Sequence, residues 1–130
     1  MNTGIIVDTC VWIDFFRRPA SELAVHLKGL LRERKVTMTG MVLAEILQGI
    51  KSQEESRLVK ESLDKLPYAE MTRDAWKKAG EISASLRRKG ITIPLSDLIV
   101  ASQAISEGYE VFTVDSHFEH VKGLKLYSFS

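Results

Sequence analysis

Short β-rich apolar runs alternate along this chain with longer segments whose apolar residues recur every three or four positions. Ile5-Ile6-Val7, Val36-Thr37-Met38-Thr39 and Val111-Phe112-Thr113-Val114 read as strands, and Leu124 to Tyr127 as a weaker fourth. Between them, Ser21 begins an amphipathic helix with Leu23, Leu27, Leu30 and Leu31 on one face. Gly40 precedes another helix, which Gly49 ends, and Glu54 to Leu66 places Leu58, Val59, Leu63 and Leu66 at helical spacing. The longest helix is predicted from Arg73 to Lys89, with Gly90 as its stop. There Ala75, Trp76, Ala79, Ile82, Ser83 and Leu86 make one buried stripe. Pro94 sets up a last helix near Ser96, and Gly108 follows its end. Strands separated by helices predict an α/β domain, a mainly parallel sheet covered by helices on both faces.

Four acids break this pattern. Asp8 closes the first strand run and Asp115 the third. Glu45 interrupts Met41-Val42-Leu43-Ala44 and Ile46-Leu47, and Asp97 opens Leu98-Ile99-Val100-Ala101. Taking a carboxylate out of water costs several kcal/mol, comparable to a whole domain's margin, unless a partner compensates. No lysine or arginine recurs at a fixed offset from the four, whereas one shared hard cation would serve them all. Ligands of open parallel sheets bind beyond the carboxyl ends of the strands. Asp8 and Asp115 project at that edge, Asp97 lies in a first helical turn there, and Glu45 lies about one turn into the helix after the second strand. Hard oxygen donors without cysteine or histidine suit Mg²⁺, with Mn²⁺ as a substitute, rather than zinc. Singly, each acid has a plainer account: a helix start for Asp97, turn residues for Asp8 and Asp115, a buried hydrogen-bonded Glu45. All four plain accounts must hold at once to remove the site.

Composition sharpens this only slightly. The chain has 130 residues, 45% of them hydrophobic, which is enough for one cored domain over 1–130. Its 18 basic and 17 acidic residues nearly cancel, so net charge does not identify a polyanionic partner. Cys10 is the single cysteine, which excludes an internal disulfide and fits a cytoplasmic protein. No apolar run approaches the ~18 residues of a membrane span.

Ile6-Val7-Asp8-Thr9-Cys10-Val11-Trp12-Ile13-Asp14 resembles the opening of PIN-domain ribonucleases, particularly the VapC-type toxins of bacterial toxin–antitoxin pairs. Ala44-Glu45-Ile46-Leu47-Gln48-Gly49 resembles their second motif, Pro94-Leu95-Ser96-Asp97-Leu98-Ile99-Val100-Ala101 the third, and Phe112-Thr113-Val114-Asp115-Ser116-His117-Phe118 the fourth. The resemblance covers essentially the whole chain. It implies a PIN-like three-layer sandwich in which Asp8, Glu45, Asp97 and Asp115 are the acidic metal-site residues and Thr113 a supporting hydroxyl. Some members carry a further acid two positions after the fourth, where this chain has His117. Cys10 reads as packing beside the site, and His117 and His120 as parts of an exposed turn.

The resemblance further implies a Mg²⁺-dependent endoribonuclease, a homodimer, and a small antitoxin laid over the acidic groove. RNA must then be held by cations away from the acids. Arg17 and Arg18, which follow the first motif, are the expected contacts, ahead of Lys77, Lys78, Arg87, Arg88 and Lys89 on the long helix. Trp12, Phe15 and Phe16 are expected in the core. Two other functions use similar features. A catalytically silent PIN-like module would bind RNA or protein without cutting. A phosphotransfer receiver domain also gathers carboxylates at strand ends around Mg²⁺.

Overall fold

A computed structural model describes residues 4–129. Its elements, in order, are β1 (Ile5–Val7), α1 (Thr9–Arg17), α2 (Glu22–Arg32), β2 (Val36–Thr39), α3 (Gly40–Gln48), α4 (Gln53–Leu63), β3 (Tyr68–Ala69), α5 (Arg73–Arg88), α6 (Leu95–Glu107), β4 (Glu110–Phe112), a 3₁₀ turn (Ser116–His120) and β5 (Lys125–Leu126). The five strands form one sheet in the order β3-β2-β1-β4-β5, and every pairing is parallel. Ile5, Ile6 and Val7 are all buried, as are Val36 to Thr39. Side chains alternate between faces, so a strand buried at every position needs cover on both. The α/β expectation holds.

The strand order also decides between the metal-dependent alternatives. A receiver domain sets β1 between β2 and β3. Here β1 lies between β2 and β4, pairing Ile6 with Thr37 on one side and Val111 on the other. The direction of winding therefore reverses at β1/β4, and the crevice beyond their carboxyl ends is where an open sheet places its ligand.

Four local expectations need correction. β4 ends at Phe112, so Thr113 and Val114 leave the ladder, and Val114 is exposed. Trp76 stands outside the stripe on α5, because Ala75 and Ala79 form the contact with α6, where the Ser102 hydroxyl donates to Ala75 O. Leu58 faces solvent while Val59 and Leu63 carry the buried side of α4. The two-residue strand β3 was not expected. It is too short for alternation to show, and is held at the edge by β2 and by Gln103, whose amide donates to Ala69 O at 2.8 Å. Gly90 and Gly108 terminate helices at positive φ, but Gly49 caps α3 at φ −86°, which does not require glycine.

Candidate active site

The carboxyl edge of β1 is built by Asp8. It is the N-cap of α1 and only 5% exposed. Oδ1 accepts the Thr9 N–H at 2.9 Å, while Oδ2 accepts the Thr113 hydroxyl at 2.8 Å and the Cys10 thiol at 3.3 Å. The plain and functional accounts of Asp8 coexist, since one oxygen caps a helix and the residue still faces the crevice. Thr113 is more than a support. Its hydroxyl donates to Asp8 and accepts the Asp115 N–H at 3.0 Å, folding the chain after β4 back so that Asp115 comes alongside. Glu45 enters from α3, where Thr9 Oγ1 donates to its Oε1 at 2.8 Å. Sequence reasoning missed Thr9. Its signal was its place at the first helical position, directly after the strand-end acid.

Asp97 lies in the first turn of α6, where the helix N-terminus favours a carboxylate, so its plain and functional accounts also coexist. Burial pushes its carboxyl above the ordinary aspartate value, the His117 hydrogen bond opposes this, and the charges of Asp8 and Asp115 push it up further. His117 does lie in a short turn with its side chain 43% exposed, but the ring is turned onto the acids. Its Nδ1 lies 3.1 Å from Asp97 Oδ2 and 3.2 Å from Asp115 Oδ1. Donor atoms of Asp97, Asp115 and His117 all fall within 4.8 Å of one another. The structure therefore brings Asp97, Asp115 and His117 into direct contact distance, with Asp8 joined through Thr113 and Glu45 joined through Thr9.

Asp14 is a control within the same molecule. It too sits in an apolar run and is 8% exposed. It is hydrogen-bonded by Ser21 and by the Arg18 guanidinium, which hold its carboxyl below the usual range. A buried acid compensated by the protein looks like that. Among the described residues, no lysine or arginine pairs with Asp8, Glu45, Asp97 or Asp115. Converging oxygen donors without a protein cation fit a divalent ion.

Arg18 is thus occupied by Asp14, whereas Arg17 is exposed on the rim of a groove formed by Ile13, Phe16, Ile46 and Val59. Trp12 is buried, with Phe15 and Phe16 half-buried against it. Lys78 of α5 and Lys89, its C-cap, line an open cavity of about 210 Å³ together with Lys122 and His120.

Burial and the charge of Asp8 raise the Cys10 thiol to about 11. Reactivity resides in the thiolate. At pH 7.5 iodoacetamide should therefore modify Cys10 of the metal-free protein at least ~10-fold more slowly than a free thiol, even allowing for the greater nucleophilicity of a more basic thiolate. Labelling at the free-thiol rate would contradict the placement of Cys10 as a protonated packing group.

The family model described as PIN domain matches residues 5–124. VapC ribonuclease Mb1587 of Mycobacterium bovis and ribonuclease VapC11 of Mycobacterium tuberculosis are each 28% identical over 120 residues, covering 88% of this chain and 89% of their own. Among solved structures, the chain is similar to VapBC2 from Rickettsia felis bound to a promoter DNA fragment. That match has a TM-score of 0.83 at 22% identity and covers 96% of this chain and 98% of that one. It is also similar to Mycobacterium tuberculosis VapC20, a sarcin-ricin loop cleaving toxin, with a TM-score of 0.66 at 15% identity over 89% and 93% of the two chains. At those identities the structures share a fold.

Proposed function

The chain belongs to the PIN-domain family, and on that premise we propose that it is the endoribonuclease toxin of a toxin–antitoxin pair, dependent on a divalent cation. The observation that carries this reading is the convergence of Asp8, Asp97 and Asp115, with Glu45 tied in through Thr9, where no lysine or arginine among the described residues pairs with them. The ribonuclease names of the relatives support the choice of RNA.

Asp8, Asp97 and Asp115 would hold Mg²⁺ or Mn²⁺. Bound there, the ion supplies what phosphodiester hydrolysis needs: a nucleophile at neutral pH and neutralisation of charge developing on the phosphoryl oxygens. The chain's own residues set the geometry. Thr113 and Thr9 N–H fix the Asp8 carboxylate, and Thr9 fixes one oxygen of Glu45 and leaves the other to orient a water proton. Because Thr113 holds Asp8 and Asp115 together, Thr113→Val should weaken Mn²⁺ or Mg²⁺ binding by roughly 10–100-fold while the protein stays folded, as loss of a ligand-orienting group generally does. Calorimetric titration checks this, and unchanged affinity would remove Thr113 from the site.

RNA phosphates would be met by Arg17 and by the Lys78, Lys89 and Lys122 cavity, giving salt-sensitive, sequence-blind affinity. Arg18 contributes less because Asp14 already binds it. Leu95 and Val114, exposed beside Asp97 and Asp115, suit a peptide laid over the acids by an antitoxin, and an arginine from it could pair with the carboxylates. Exposed Trp76 offers an aromatic anchor for a homodimer. No helix among the described residues is long and apolar enough to cross a membrane. Induced expression in bacteria tests the toxin assignment: the wild-type chain should arrest growth and deplete a defined RNA, and Asp8→Asn should do neither. Arrest that survives Asp8→Asn would overturn it.

A further inference from the structure

We propose that His117 is itself a ligand of the cation, and that its imidazole gives the site a preference for a transition ion such as Mn²⁺ over Mg²⁺. This rests on the reading of the acids as a cation site. Two donors bound side by side to one near-octahedral ion at about 2.1 Å lie roughly 3 Å apart. His117 Nδ1 is 3.1 Å from Asp97 Oδ2 and 3.2 Å from Asp115 Oδ1, the spacing that a shared ion requires. The turn that carries the imidazole is also held in place. The backbone N–H of His117 donates to Asp115 Oδ1 at 2.9 Å, and the 3₁₀ turn is anchored by Phe118, 1% exposed. Mg²⁺ takes oxygen donors and dehydrates reluctantly, whereas transition ions accept imidazole readily. One nitrogen donor among carboxylates therefore moves the preference along that series.

The same distances fit a simpler role, in which Nδ1–H donates to both carboxylates and only pins them. One nitrogen cannot donate its proton and give its lone pair to an ion at the same time, so the two roles exclude each other in loaded protein. Electron spin echo spectroscopy of tag-free protein loaded with Mn²⁺ alone separates them. The wild type should show nitrogen modulation from a ligated imidazole. That modulation should vanish in His117→Ala and persist in His120→Ala. Mn²⁺ affinity should fall by about 10-fold or more in His117→Ala, with a smaller change for Mg²⁺. His117→Gln, which keeps bulk and hydrogen bonding, should follow His117→Ala in spectrum, and circular dichroism verifies that both fold. Asp97→Asn separates the two levels of failure. If it abolishes Mn²⁺ binding while the wild type shows no nitrogen modulation that depends on His117 and His117→Ala keeps the affinity, the imidazole is a hydrogen-bonded clip and the His117 assignment is wrong. If Asp97→Asn, or the wild type itself, shows no site-specific Mn²⁺ binding to lose, the cation-site reading fails with it.

Discussion

Replacing Asp97 with Asn is expected to reduce RNA cleavage by on the order of 10²–10³-fold or more and, in metal-free protein, to leave the melting temperature equal to or above that of the wild type. The two effects share one cause. Burial and the charges of Asp8 and Asp115 make the ionised Asp97 carboxyl unfavourable in the folded protein, a cost that the His117 hydrogen bond only partly offsets. A carboxyl with a raised folded pKa binds its proton more tightly folded than unfolded. Its stabilising contribution is therefore present in acid and is lost as pH rises from the ordinary 3.8 through the raised value. Asparagine keeps the shape, carries no charge, and escapes that loss at neutral pH. An acid that destabilises its own fold has a use outside it. Cleavage at the wild-type rate, or a clear fall in melting temperature, would place Asp97 among the structural residues instead.

Phe112→Ala is expected to act oppositely, destroying fold and site together. Phe112 is fully buried at the end of β4, with the rings of Tyr127 and Phe129 4.9 and 5.0 Å away. Truncating such a side chain costs about 3–5 kcal/mol, a large share of the 5–15 kcal/mol that holds a domain of this size. The cost reaches the site because Phe112 O accepts the Asp8 N–H at 2.9 Å and Thr113 follows directly. Urea denaturation at constant slope should show the loss, and a midpoint within the error of the wild type would contradict this account of the core.

How much of this was legible beforehand divides by the range of the interaction. The alternation of apolar runs fixed the α/β class, and the four acids were visible because each stands alone in apolar sequence. What the sequence hid depends on contacts distant along the chain. Val114 continues an apolar run and looks like strand, yet the Thr113 hydroxyl captures Asp115 N–H and turns the chain out of the sheet. His117 looks like a surface turn residue, and only the fold sets it against Asp97, twenty positions earlier. Asp14 is the converse case. It satisfies the same sequence criterion as the four acids, and only Arg18 and Ser21 mark it as structural. Trp76 misled because helical periodicity counts a bulky apolar residue as inward, while the close packing of α5 on α6 is made by alanines.

The most direct test is cleavage of a labelled, structured RNA panel by purified protein in Mg²⁺, Mn²⁺ or EDTA, beside identically purified Asp8→Asn. The account predicts internal cuts that require the ion, stop in EDTA and are absent from the mutant. Cuts that persist in EDTA or in Asp8→Asn would contradict a carboxylate-held cation as the centre of catalysis. RNA bound in the presence of either ion but never cut, while a known ribonuclease cuts the same panel, would instead favour a silent binding module.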